Sequence, residues 1–134
     1  MILMYHKVHP TSPTQWWVEV DEFYRQMWEL RSRRVVLLDE YDATDPDHVV
    51  ITFDGVYENV LRYAAPIMQR FGYPFELFVS GDHIGCVNAF DETEPDARFA
   101  DTAELAQLVR MGGRIQWHTR SHPDMSALGD PGAI

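Results

Sequence analysis

The sequence predicts an α/β fold built as a partial barrel of about five parallel strands. Three observations carry the prediction. Apolar runs of strand length alternate with segments of helical periodicity, the order that favours parallel pairing through right-handed crossovers. Polar, Gly- and Pro-containing stretches punctuate the joins. With 134 residues the chain forms one domain, residues 1–134, and falls short of the roughly 250 residues of a complete eight-stranded α/β barrel.

Residues 2–8 (ILMYHKV) suit a buried strand, and HPTSPT at 9–14 is a loop. From Val18 to about Ser32, Val20, Phe23, Met27 and Leu30 recur at helical spacing, with Asp21 near the start, where a carboxylate suits the helix dipole. A second strand follows at 34–38 (RVVLL), then a polar loop, DEYDATDPD. The third is 49–53 (VVITF). The helix after it carries Val60, Tyr63, Ala64, Ile67, Met68 and Phe71 until Gly72 stops it. Strand four is 75–79 (FELFV), closed by SGDHIG, and 85–100 reads as a loop. Asp101 or Thr102 caps a helix with the apolar face Leu105, Leu108, Val109 and Met111, which Gly112-Gly113 ends before strand five, 114–118 (RIQWH).

Charge excludes some partners. Eleven Lys plus Arg against 21 Asp plus Glu leave a net charge of −10, which repels phosphate backbones and anionic lipid heads. Nucleic acid is therefore not an expected partner. The Arg31, Arg33, Arg34 cluster reads as a solvated helix end. Cys86 is the sole cysteine, so no internal disulfide forms and no Cys-rich zinc site exists; it reads as an incidental thiol. The opening MILMYHKV is too short for a secretory core, and charges interrupt every apolar run before it reaches membrane-spanning length. The expectation is a cytoplasmic protein without membrane insertion, although removal of a leader would leave the same sequence.

In parallel α/β proteins, chemistry gathers at the carboxyl ends of the strands. Asp54 stands at that end of strand three, in ITFDGVYENV, and His118 at that end of strand five, with His122 four residues on. A His-x-x-x-His pair suits a divalent metal, and two neutral imidazoles plus one carboxylate leave positions open for water and a carbonyl oxygen. Spacing alone equally fits two solvent-facing or capping histidines.

The segments ILMYHKV, ITFDGVYENVLRYAAPIMQRFGYPFELFV and HTRSHPDMSAL together resemble the polysaccharide deacetylases, also called the NodB homology domain or carbohydrate esterase family four. That family's first motif is T-F-D-D-G and its second is H-S/T-x-x-H-P. The second is complete here as His118, Thr119, Arg120, Ser121, His122 and Pro123, and the intervening A-P-I-x-x-x-x-G-x-P-x-x-x-F-V pattern runs from Ala65 to Val79. The resemblance implies a distorted seven-stranded (β/α) barrel, hydrolysis of the N-acetyl C–N bond of an acetylated amino sugar or polysaccharide, and a zinc or similar divalent ion. It assigns Asp54 to the catalytic base and His118 and His122 to the metal.

Two departures qualify that assignment. Where the family has its metal-binding aspartate this sequence has Gly55, and Val56 follows where the family has its glycine. Asp54 then either stays the base or swings in as third metal ligand, in which case Glu58, Asp82 or His6 is left to accept the proton. The later family motifs, including the histidine that acts as general acid, have no counterpart here, so the chain corresponds to about the first half of the family's domain. His83 is the nearest substitute acid. An accessory, sugar-binding module that has lost catalysis is the alternative function. A homodimer or partner chain covering the last strand would complete the barrel.

Other residues take plainer readings. Trp16 and Trp17 form a sugar-stacking platform, close the bottom of the fold or meet a partner segment, and because neighbours in extended chain point opposite ways only one is in the core. Met27, Met68 and Met111 fill helical apolar faces, and Trp117 packs beneath the site.

Overall fold

The strands that the apolar runs anticipate pair side by side and in parallel. The computed structural model describes residues 1–89 and 94–127. Its main sheet holds β1 (Ile2–Tyr5), β5 (His48–Asp54), β6 (Phe75–Val79) and β7 (Gly113–Trp117) in the order β1-β5-β6-β7, with β4 (Arg34–Val35) also on β5. Every pairing is parallel; Tyr5 lies opposite Phe53, Asp54 opposite Phe78 and Val79 opposite Trp117. The central strand β5, HVVITFD, is buried at every residue but the last, as expected for a parallel strand covered on both faces.

Three boundaries differ from the sequence reading. The run 2–8 is not one strand. It breaks at His6, and β2 (Lys7–His9) leaves the main sheet to pair with β3 (Trp17–Glu19). This second sheet takes Val18 out of the expected helix, which begins two residues later as α1 (Val20–Glu29), with Asp21 and Glu22 in its first turn. The run 34–38 pairs only through Arg34 and Val35, because Leu38 enters a 3₁₀ turn and donates its backbone N–H to Glu76 Oε1 at 2.8 Å. Between β5 and β6 the helix opens with a π-turn over Val60–Ala64 before continuing as α2 (Ala65–Phe71). Pro66 has no N–H for an α-type bond to the preceding turn, and the helix widens just ahead of it.

The other helix ends follow local chemistry. Gly72 stops α2 in the left-handed conformation, φ 70°. In α3 (Thr102–Arg110) Asp101 is the N-cap: its carboxylate accepts from the Glu104 N–H at 2.9 Å, and that of Glu104 accepts from the Asp101 N–H at 2.8 Å. Gly113 does more than end this helix. A Cβ there would stand 2.7 Å from Leu77 Cδ1 and 2.7 Å from Phe75 Cε2, so only glycine lets β7 start against β6.

Alternation along the strands sorts the residues into two faces. Val49, Ile51 and Phe53 of β5 with Phe75 and Leu77 of β6 meet Phe23, Met27, Met68, Leu105 and Leu108 of the helices in the main core. Thr52 and Asp54, Glu76 and Ser80, and Arg114, Gln116 and His118 fall on the opposite face. The same alternation corrects the expectation for Trp117, which is 76 % exposed: the pleat that turns His118 inward turns its neighbour out. On β1, Ile2 and Met4 are also exposed, and among the described residues β1 and β7 are the two ends of the sheet.

Candidate active site

Parallel pairing brings the carboxyl ends of β1, β5, β6 and β7 to one rim. A cleft of about 210 Å³ opens there, lined by His6, Lys7, Trp16, Asp54, Gly55, Tyr57, Ser80, Asn88, Phe99, His118 and His122. This is below the roughly 300–1,000 Å³ of complete ligand pockets. Asp54, His118 and His122, singled out in the sequence, meet in it. So does His6, which owes its place to the break between β1 and β2.

The loop after β7 is held by its neighbour. The His118 N–H donates to the Val79 carbonyl at 3.0 Å, and Ser80 Oγ donates to the His118 carbonyl at 2.7 Å. Beyond the cleft, the Asp82 N–H donates to the Arg120 carbonyl at 2.9 Å while Arg120 Nε donates to Asp82 Oδ1 at 3.0 Å. The Thr119 hydroxyl accepts the His122 N–H at 3.0 Å. These bonds fold the H-T-R-S-H stretch back on itself and set the two imidazoles 5.0 Å apart between ring centroids. Backbone strain gathers at the same rim: Thr119 at φ 61°, His122 at 52° and Val56 at 50° are, among the described residues, the non-glycine ones in the left-handed region. Each such conformation costs on the order of 1–3 kcal/mol and is retained where the surroundings enforce it.

Burial and neighbouring groups favour the neutral form of His6 and of His122. Burial lowers the pKa of His6, and Lys7, His118 and His122 lower it further against the opposing pull of Asp54. His122 is likewise lowered, first by burial and then by His118. Neutral imidazoles retain a lone pair for a metal or a proton. Asp54 is the only carboxylate among the described residues that line the cleft, and its side chain makes no hydrogen bond to them.

The other sequence candidates are placed elsewhere. Glu58 and Asp82 do not line the cleft; Glu58 faces Arg62 and Asp82 holds Arg120. The His83 imidazole stacks on Phe99 with its Nε2 3.2 Å from the Ser121 carbonyl oxygen, outside the lining. Of the paired tryptophans, Trp17 is buried and Trp16 lines the cleft. What the sequence reading missed is Lys7. It is 2 % exposed, its Nζ stands 3.1 Å from Glu94 Oε2, and it lies 4.5 Å from the Tyr57 ring centroid. The signal was a lysine inside an apolar strand, which requires a buried counter-charge, but 87 residues separate it from that carboxylate.

A divalent ion needs more than this arrangement offers. Two imidazoles 5.0 Å apart suit two positions on one ion. Gly55 supplies no third, and no group of three or more His, Cys, Asp or Glu among the described residues is placed to hold a metal. The wall behind Gly55 is filled as well. The residue sits at φ 84°, a Cβ added to it would lie 3.1 Å from Tyr57 Cε2 and 3.2 Å from Phe99 Cε1, and those two rings stack at 4.4 Å. The described residues therefore make half of a metal site.

A carboxylate and two imidazoles thus meet at the carboxyl rim of a parallel α/β sheet. The family model for polysaccharide deacetylases matches residues 41–133, more than half of the chain, and the chain belongs to that family. No curated protein sequence matches it significantly. Among solved structures it is similar to IcaB of Ammonifex degensii, with 22 % identity and a TM-score of 0.74 over 87 % of this chain and 51 % of that one. It is also similar to the deacetylase PplD of Streptococcus pyogenes in complex with acetate, with 21 % identity and a TM-score of 0.73 over 95 % and 59 %. A polysaccharide deacetylase of Bacillus cereus aligns with 18 % identity and a TM-score of 0.75 over 96 % and 42 %. These likenesses establish the fold. The chain spans about half the length of the structures it matches. Among the described residues no helix is long and apolar enough to cross a membrane.

Proposed function

We propose that the cleft binds an acetamido sugar and that Asp54, His118 and His122 act on its N-acetyl group, releasing acetate and leaving the amine. The observation that carries this reading is the convergence of the Asp54 carboxylate, bonded to none of the described residues, and two adjacent imidazoles in a single cleft of a polysaccharide deacetylase domain. Asp54 accepts the proton of the attacking water. His118 and His122 face the amide, where a ring N–H donates to the carbonyl oxygen as charge develops on it. The C–N bond then breaks, and the departing nitrogen takes its proton from Asp54 or from solvent. A zinc or similar ion would fall to His118, His122 and Asp54, and binding it would take Asp54 out of service as a base.

Gly55 favours a second reading, an accessory module that binds acetylated sugar without hydrolysing it. Acetate release from an N-acetylglucosamine oligosaccharide separates the two, with zinc content measured alongside. Release that is lost in Asp54→Asn and in His118→Ala supports hydrolysis, whereas binding without release leaves the accessory role. A second copy or a partner strand set against the edges of β1 and β7 belongs to the same proposal, and sedimentation velocity reads it directly.

A further inference from the structure

We propose that Trp16 is a sugar-stacking subsite at the lip of the cleft, holding a pyranose ring beside Asp54. The inference rests on the acetamido-sugar reading above and names the residue that grips the sugar's apolar face. Trp16 lines the cleft and is 41 % exposed, a large aromatic surface left to solvent at the rim where Asp54, His118 and His122 meet. Its ring meets His6 edge-on, at 5.0 Å and 61°. The C–H faces of a pyranose are apolar, and an indole covers them without constraining the hydroxyls at the ring edge.

Its surroundings hold the Trp16 backbone in place, and the His6 ring lies against the indole. The Trp16 carbonyl accepts from the Lys7 N–H at 3.3 Å, and its own N–H donates to Thr14 Oγ1 at 3.3 Å. The Thr14 hydroxyl donates to Glu94 Oε1 at 2.6 Å, and Trp17 Nε1 donates to Glu94 Oε2 at 2.7 Å. One buried carboxylate thus fixes the residues on both sides of Trp16 and pairs with Lys7 as well. Burial acts to raise the Glu94 carboxyl, yet hydrogen bonds from Thr14, Trp17 and Lys7 outweigh it and keep the group below its usual range. A turn so constrained has little backbone freedom left to lose on binding, which favours affinity. Trp17 is consumed by this anchor, and Trp16 is the member of the pair left to meet a ligand.

The test is calorimetric titration with an N-acetylglucosamine trisaccharide, in chelator so that metal does not enter the readout. Trp16→Ala should bind at least about tenfold more weakly, the loss expected when an aromatic contact of this size is removed. Trp16→Phe, which keeps an aromatic face, should stay within about threefold. Trp16→Leu keeps apolar bulk without that face and should weaken binding like the alanine variant, so lowered stability of the smaller variant cannot be mistaken for the effect. Trp28→Phe, on α1 outside the cleft, should bind as the parent does. Equal binding by parent, Trp16→Ala and Trp16→Leu overturns the subsite and leaves the acetamido-sugar reading standing. A parent that does not bind the trisaccharide overturns both.

Discussion

Glu76 and Asp54 are carboxylates on the same face of adjacent strands, and they live in opposite conditions. Glu76, on β6, is completely buried and has every partner it needs: Arg114 Nε at 3.1 Å and Nη2 beside Oε1, Gln116 Nε2 at 3.1 Å and the Leu38 N–H at 2.8 Å. Arg114 in turn reaches Asp39 at 2.7 Å. Asp54, at the end of β5, lines an open cleft and is bonded to none of the described residues. The first closes the sheet interior and ties β7 to β6. The second stands where strand pairing stops, facing the cleft. The saturated carboxylate ties strands together, whereas Asp54 shares its cleft with the imidazoles of His118 and His122.

The two carboxylates part most visibly in function. Asp54→Asn should lower acetate release by about 10²- to 10⁴-fold, the range for loss of a positioned general base, while the melting temperature stays where it was. Glu76→Ala should do the reverse. Removing it leaves the partly buried Arg114 with Asp39 alone, and breaking such a pair costs on the order of 3 kcal/mol, measurable as a lower urea midpoint. Gly55→Asp, which writes the family's aspartate back, should cost about 1–2 kcal/mol because the position is left-handed and faces the Tyr57–Phe99 stack. Zinc titration of that variant sharpens the point: the expected result is no gain of tight binding, since the added side chain meets aromatic rings.

The smallest expected effect is pH-dependent. Burial acts to raise the Glu76 carboxyl, but the hydrogen bonds of Arg114, Leu38 and Gln116 win and lower it. A carboxylate lowered in the folded state contributes stability above its unfolded pKa of about 4.3 and loses it as pH falls through the folded value. Below about pH 4.3 the urea midpoint should therefore fall, and that part of the dependence should flatten in Glu76→Gln.

Much of the fold was legible because strand and helix signals are local. The runs 49–53 and 75–79 and the capped helix after Asp101 stand where their patterns put them, within a residue or two of β5, β6 and α3. What pattern could not reveal was non-local pairing. Nothing in ILMYHKV announces that the chain changes sheets at His6, because the cause is the pairing of Lys7–His9 with Trp17–Glu19 and of Lys7 with Glu94. In the site, motif spacing located Asp54, His118 and His122. Contacts across the fold decided which candidates joined them, bringing in His6 and leaving Glu58, Asp82 and His83 outside. Trp16 and Trp17 were equal on paper, and the Glu94 carboxylate told them apart.

The most direct measurement sets Asp54→Asn and Glu76→Ala side by side, reading acetate release from an N-acetylglucosamine oligosaccharide and thermal unfolding on the same samples. Asp54→Asn should melt with the parent and release acetate about 10²- to 10⁴-fold more slowly, while Glu76→Ala should melt lower. An Asp54→Asn variant that keeps the parent's rate, or that falls in stability as far as Glu76→Ala, would contradict this.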